Sequence, residues 1–376
     1  MAHPHSQAVP APILNIPPSD SSVHVQIIDT TAQIGNVKLD SFLEPAIKGH
    51  EALNCPAFAF LITHPKLKRS VLFDLGVRKD WENLSPLVYG NLKLYGFDVS
   101  VQKDSPTILS EHSIDPASIE SIIWSHWHWD HTGDPSLFPS STALIVGPGF
   151  KSAFVPGYPS NPKGVILESD YADRELRELD FGPDDSAGAG GERIVKVGNF
   201  RALDYFADGS FYILDAPGHA VGHLGALARV RGEDGKEGFV FMGGDACHHN
   251  GEFRPSPYRP LPERISPHPW DAGQKVCPGS LFEGLLRDGD PCKPFYDLKA
   301  PLDGTSPMAY NSREARDTIR KVMETDADEE VIVIMAHDDS LLEVLDFFPG
   351  YLDGFVGKGW AAEARWGFLR DFKDAV

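Results

Sequence analysis

The stretch IIWSHWHWDHTG, residues 122–133, places three imidazoles and a carboxylate (His126, His128, Asp130 and His131) within six residues, directly after a β-branched apolar run. His126 and His128 stand at i and i+2, so in an extended or turn conformation both rings can point the same way, while Asp130 and His131 curl back toward a second position. Four such side chains crowded together are costly to bury and to order unless a cation uses them, which makes this a pattern for holding metal. A lone HxH is as often structural as functional. HxHxDH is far more specific, and here it lies where a strand-like run, Ser121–Trp124, meets a Gly-containing turn, Thr132–Pro135.

Further donors follow apolar runs elsewhere in the chain. FYILD (211–215) precedes Ala216, Pro217, Gly218 and His219; the run 239–242 precedes Gly243, Gly244 and Asp245; VIVIM (331–335) precedes Ala336 and His337. A sheet delivers functional side chains at such strand ends, from a rigid scaffold. The tally of five His and two Asp suits two tetrahedral or five-coordinate zinc ions sharing one carboxylate and one hydroxide, with iron or manganese as other occupants.

The HxHxDH cluster, the PGH after a strand, the GGD after a strand and the late strand followed by His occur in an order that resembles the metallo-β-lactamase superfamily, over about residues 23–345. The resemblance implies an α/β four-layer αββα sandwich, two facing mixed β-sheets flanked by helices. It implies His126, His128 and His219 on one metal, Asp130, His131 and His337 on the other, and Asp245 bridging. VLFDLG (71–76) resembles the family's early strand, making Asp74 a partner that orients a ligand imidazole. Among subfamilies the PGHAVGH stretch looks most like N-acyl homoserine lactonases, with carrier-protein thioesterases next. One departure is Asp134 after Gly133, where the lactonase type carries a second glycine; a cap on a helix begun by Pro135 is its expected role.

The chemistry implied is hydrolysis of an acyl bond. A hydroxide shared by the two metals attacks the carbonyl of a small cyclic ester or amide, Asp130 accepts and returns the proton, and His131 holds the second ion; Asp130 and His131 are the residues placed at the catalytic step. The expectation is a lactonase or lactamase of secondary or detoxifying metabolism. Alternatives on the same scaffold are an acyl-carrier or other thioesterase, a mononuclear-iron sulfur dioxygenase, which would leave the second metal's ligands unused, and a metal-binding scaffold without catalysis. Diiron oxygen reductases prefer Glu where this chain has His128.

With a net charge of −20 and a pI near 5.1, the chain does not suit nucleic-acid phosphates as partner or substrate. A small-molecule acyl substrate is expected, with no membrane partner and with assembly open, a homodimer included. Four cysteines without a CxxC pair read as reduced, and Cys247, two residues beyond Asp245, reads as a small buried hydrophobe. No secretion signal and no run of 18 apolar residues is present, so a cytoplasmic location is expected.

Residues 1–22 read as a flexible leader and 23–376 as one domain with insertions at about 156–192 and 247–311. The first insertion ends in GPDDSAGAGGE and reads as a mobile loop; the second is dense in proline, with 11 of 31 prolines between 251 and 310, and reads as ordered but irregular. Long connections in a compact domain are usually functional, so both are expected to form the pocket's lid and rim. Strands are expected over 23–29, 57–63, 70–74 and 118–125, and helices over 312–325 and 361–372. Trp127 and Trp129 alternate with the metal-type ligands and should pack beneath the loop. Phe150, Phe154, Tyr158, Tyr258, Trp270 and Phe282 are candidate pocket aromatics, and Tyr158, Tyr171 or Tyr258 could supply a phenol to polarise a carbonyl. His223 reads as structural; His248 and His249 are spare imidazoles of open role.

Overall fold

The computed structural model describes residues 8–182, 193–301, 304–305 and 308–376. Two six-stranded sheets face one another. The first runs, in both spatial and chain order, β1 (His24–Asp29), β2 (Phe58–His64), β3 (Arg69–Phe73), β4 (Ile119–Ile123), β5 (Ala143–Val146) and β6 (Leu176–Glu178). Pairing is antiparallel from β1 to β3 and parallel from β3 to β6. The second runs β7 (Arg193–Val197), β8 (Phe200–Asp204), β9 (Phe211–Asp215), β10 (Leu224–Arg231), β11 (Glu237–Met242) and β12 (Val331–Ile334). It is antiparallel except for the last pair, where β12 lies parallel to β11.

The strand sequences explain the layering. Alternate residues point to opposite faces, and these strands read as near-continuous apolar runs because both faces are covered. Val25, Ile27, Phe60 and Ile62 of the first sheet meet Ile213, Ala226, Val240 and Ile334 of the second in the central core. The residues between them face outward: Ile28, Leu61, Leu72 and Ile122 pack against Ile108, Leu109 and Phe138. On the far side, Tyr212, Leu214, Phe241 and Val333 pack against Ala315, Ile319 and Val322 of the helix Ser312–Asp326. The chain therefore has the expected αββα order. A small antiparallel sheet, Ala32–Lys38 with Ala52–Cys55 and Asp98–Val101, and the helix Pro86–Tyr95 stand over the strand ends that carry the donors.

Three readings of the sequence change. Residues 156–182, expected as loop, contribute β6, which extends the first sheet by parallel pairing with β5; most of the Gly/Ala/Asp-rich tract lies outside the described residues. The helix expected over 361–372 divides into a helix at Trp360–Ala364 and a 3-10 turn at Gly367–Phe372. The break falls where the Arg365 carbonyl accepts a hydrogen bond from Arg254 at 2.6 Å instead of from a helix amide. Of the leader, residues 8–22 run extended against the second sheet, with Leu14 buried and the Pro17 carbonyl accepting from Arg229.

The proline-dense insertion is ordered by polar ties as well as by buried Phe253, Phe282 and Phe295. Arg254 and Asp326, both buried, form a two-pronged ion pair (Nε–Oδ2 3.0 Å, Nη2–Oδ1 2.5 Å) that fastens the insertion to the end of the helix Ser312–Asp326. Removing one partner leaves a buried charge unpaired, at a cost of about 3–5 kcal/mol. Arg254→Ala should therefore lower the free energy of unfolding by about that amount in denaturant titration; a loss below about 1 kcal/mol, the value of a surface pair, would show that the tie carries little.

Candidate metal centre

Every donor in the centre is carried by a strand end whose backbone is held in place. β4 leads into Trp124, the chain bends at Ser125 and Trp127, and the helical turn Trp129–Thr132 begins after His128, whose backbone is extended. The change from extended to helical backbone separates the two sets of ligands: His126 and His128 fall on one side, and Asp130 and His131 rotate to the other. Asp74, at φ 61° just past β3, clamps this loop. Its Oδ1 accepts from the Ser125 amide at 2.6 Å and its Oδ2 from His131 Nδ1 at 2.8 Å. A non-glycine residue at positive φ costs energy and persists only when its surroundings demand it.

The PGH loop is held as tightly. Gly218 has φ 124°, and a Cβ there would lie 2.0 Å from the Ala315 amide nitrogen, so a side chain would push the loop off the helix Ser312–Asp326. His219 Nδ1 then donates to the Met308 carbonyl at 3.0 Å. His223 does not face the donors; it accepts the Asp245 amide on Nε2 at 3.0 Å and donates from Nδ1 to the Ala216 carbonyl at 2.8 Å. Its structural reading stands. His337 Nδ1 donates to the Pro56 carbonyl at 2.7 Å.

These hydrogen bonds decide which nitrogens face inward. A carbonyl or carboxylate only accepts, so the Nδ1 proton of His131, His219 and His337 is spoken for and each neutral ring presents a bare Nε2. His219 Nε2 lies 3.1 Å from His126 Nε2 and 2.9 Å from His128 Nδ1, and Asp245 Oδ2 stands 3.6 Å from His219. The other carboxylate oxygen, Asp245 Oδ1, lies 3.0 Å from His131 Nε2 and 3.1 Å from His337 Nε2, and Asp130 Oδ2 is 3.6 Å from His337. With these inward nitrogens unprotonated, lone pair faces lone pair. His131 Nε2 and Asp245 Oδ1 are buried without a protein hydrogen-bond partner. Such an arrangement is stable only around cations, so the residues fit two metal ions with Asp245 between them.

The electrostatics divide the imidazoles into two sets. Burial, then the neighbouring imidazoles, hold His126 and His219 well below the ordinary histidine value, and burial brings His128 to about 4, so all three keep free lone pairs. His131 and His337 behave oppositely: burial lowers both, but the neighbouring groups, Asp245 foremost, outweigh it, raising His131 to about 10 and His337 well above the ordinary value, so without metal each holds a proton that a bound cation would replace. Two donor groups result, His126–His128–His219–Asp245 and Asp130–His131–Asp245–His337, the atoms of each within 4.8 Å of one another. All seven residues singled out in the sequence are brought together.

A cavity of about 490 Å³ opens onto the donors and is mostly apolar. Trp127 and Trp129, expected beneath the loop, form its walls. Trp127 lies edge-on to the His128 ring at 4.4 Å, and Trp129 stacks on Phe97 at 6.3 Å. The lid and rim come less from the two insertions, which add Val165, His248 and Met308, than from the segment 34–42 and the helix Pro86–Tyr95. The reason is packing: the proline-dense insertion turns Phe253, Phe282 and Phe295 into the core, leaving the small sheet and helix to cover the metal loop. Phe150, Phe154, Tyr158, Tyr258, Trp270 and Phe282 are not in the cavity wall, and neither is Tyr171, whose hydroxyl accepts from the Gly157 amide. Tyr95 is the tyrosine at this rim.

Asp134 caps the 3-10 turn Pro135–Leu137 and pairs with Arg78 at 3.0 Å, outside the centre. Cys247 is buried in the core, as expected. His248, of open role in the sequence, lines the cavity with Nε2 3.4 Å from Asp245 Oδ2, and both its ring nitrogens lack a protein hydrogen-bond partner. Cys55 and Phe42 also line the cavity; neither carries a local sequence signal.

Comparison with known proteins agrees with this architecture. No protein-family model matches the chain. It is 43% identical over 368 residues to the γ-lactamase FDB1 of Fusarium pseudograminearum, covering 97% of this chain and 86% of that protein. It is 42% identical over 371 residues to the metallo-hydrolase mfmC of Annulohypoxylon moriforme, covering 98% and 92%. In fold it is similar to the AiiA protein of B. thuringiensis solved with N-decanoyl-L-homoserine at its active site, with TM-score 0.53 and 17% identity over 88% of this chain and 99% of that one. The sandwich, the convergent His and Asp donors and these full-length relatives together place the chain in the metallo-β-lactamase superfamily of hydrolases.

Proposed function

We propose that this hydrolase is a dinuclear zinc enzyme that opens a small cyclic amide or ester, a lactamase or lactonase acting on a flat, largely apolar ring system. The observation that carries the reading is the shared Asp245: its two oxygens address two donor groups, and both groups open onto one apolar cavity walled by tryptophans. In this reading His126, His128 and His219 hold one ion, Asp130, His131 and His337 the other, and Asp245 both. Two such ions, when bound, bring the pKa of a shared water near neutrality and polarise the substrate carbonyl. A γ-lactamase name on a relative 43% identical supports an amide, and the AiiA-like fold is compatible with an ester.

The chain's own residues supply orientation and proton handling. Trp127 and Trp129 confine a planar ring and exclude water, which strengthens the local electrostatics. Asp130 is the more exposed of the two donor carboxylates and faces the cavity. It accepts the proton of the attacking water and returns it to the departing nitrogen or oxygen, a transfer an amide needs more than an ester does. His248 also lines the cavity, beside Asp245, where a ring nitrogen can donate to the oxyanion.

Metal analysis should find two zinc-type equivalents in the centre. Asp245→Ala should remove both and lower kcat at least about 10⁴-fold while circular dichroism stays native; retention of most activity would sink the two-metal reading. His248→Ala should lower kcat about 10–100-fold with metal content unchanged and KM little moved. Equal loss of metal would instead make it a ligand. In a substrate panel, γ-lactams and γ-lactones fused to an aromatic ring should exceed long-chain acyl lactones and acyl thioesters in kcat/KM; turnover confined to thioesters would overturn the proposed substrate class.

A further inference from the structure

Beside the metal centre lies a second cavity of about 540 Å³, which shares His248, His337 and Cys55 with the first but is lined by polar groups. Three side chains from distant parts of the chain meet in its wall. His50 follows the first strands, His249 follows β11, and Asp371 sits in the C-terminal 3-10 turn Gly367–Phe372. Their donor atoms all lie within 4.8 Å of one another. The rings of His50 and His249 are 5.0 Å apart, and Phe372 packs against both. None of the three takes part in the centre described above.

The geometry points to a third, mononuclear transition-metal site at His50, His249 and Asp371, with an open coordination position facing the polar cavity. The hydrogen bonds preset the ligand atoms. His50 Nδ1 is engaged by the Tyr296 hydroxyl at 2.7 Å, which leaves Nε2 to coordinate. His249 Nδ1 accepts the Gly251 amide at 2.9 Å, so its other nitrogen, Nε2, is directed at Asp371 Oδ2, 3.2 Å away. Two ligands on a tetrahedral zinc with bonds of about 2.0–2.1 Å stand about 3.3 Å apart, so this edge already has the required length. Binding replaces the His249 Nε2 proton, which is released to solvent.

The surroundings favour a cation. Glu51, Asp338 and Asp339 line the same cavity against one lysine, Lys38. Burial lowers the His50 pKa to about 4, so its ring is neutral and available at physiological pH. Two imidazoles and one carboxylate with an open position suit Zn²⁺ or Fe²⁺, and zinc is the ion the test uses. Such an ion would also pin the C-terminal turn to the loop that carries Asp245.

The test is metal stoichiometry of the full-length protein after equilibrium dialysis against zinc, with circular dichroism to verify folding. Wild type should hold three equivalents, and His50→Gln and Asp371→Asn should each hold one fewer. Asp245→Ala should keep the third equivalent while losing those of the catalytic centre, so failure of the functional proposal and failure of this one are separable. If His50→Gln and Asp371→Asn, folded, retain the wild-type number, the three side chains are only a hydrogen-bonded tie and the proposal is overturned. Saturation of wild type at two equivalents, both lost in Asp245→Ala, overturns it equally.

Discussion

Asp245 is buried between two sets of imidazoles, its Oδ1 facing His131 and His337 and its Oδ2 facing His126, His219 and His248. An ionised carboxylate in that position is tolerable only with positive charge on both sides. Most of what surrounds the centre serves to hold that arrangement. His223 receives the Asp245 amide, Asp74 fixes both the Ser125 amide and the His131 ring, and the Pro56 and Met308 carbonyls orient His337 and His219. Each of these partners engages the outer nitrogen of its ring, so the inner nitrogen is the one turned to the centre.

The scaffold supplies the rigidity this needs. The two sheets bury continuous apolar runs on both faces, and the donors stand where those runs end, so small backbone shifts at the centre would have to move packed strands. Close backbone contacts add to this. A Cβ on Gly147 would approach the Gly222 carbonyl to 1.9 Å, so β5 and the PGH loop touch with no room between them. The apolar cavity, by contrast, is built by elements outside the sandwich, the small sheet and the helix Pro86–Tyr95. Trp127 and Trp129 of the donor loop complete the cavity from the sandwich side.

Much of the fold and nearly all of the donor set were legible in sequence because they rest on local patterns. Continuous apolar strand runs, a turn, and a ligand soon after it repeat at His126, His219, Asp245 and His337. The cavity was not legible in the same way. Alternation places Trp127 and Trp129 opposite the ligands on an ideal strand, but the backbone between His128 and Trp129 turns from extended to helical and brings both rings to the cavity wall. Phe42, Leu53, Val88 and Phe97 come from segments that carry no local sign of a cavity. The break near Arg365 depends on a guanidinium more than one hundred residues earlier in the chain.

By itself, the sequence determined the seven donor-type residues and the need for cations, since these follow from residue type and spacing at strand ends, and the order of its motifs carried the resemblance that implied the sandwich. Only the tertiary structure decided which nitrogen of each ring faces inward, that Asp134 pairs with Arg78 away from the centre, and that His248 rather than a tyrosine of the insertions stands beside Asp245. It alone brought His50, His249 and Asp371 together. The physical reason is that tautomers, cavity walls and contacts between distant segments are set by partners remote in sequence, and no local pattern carries that information.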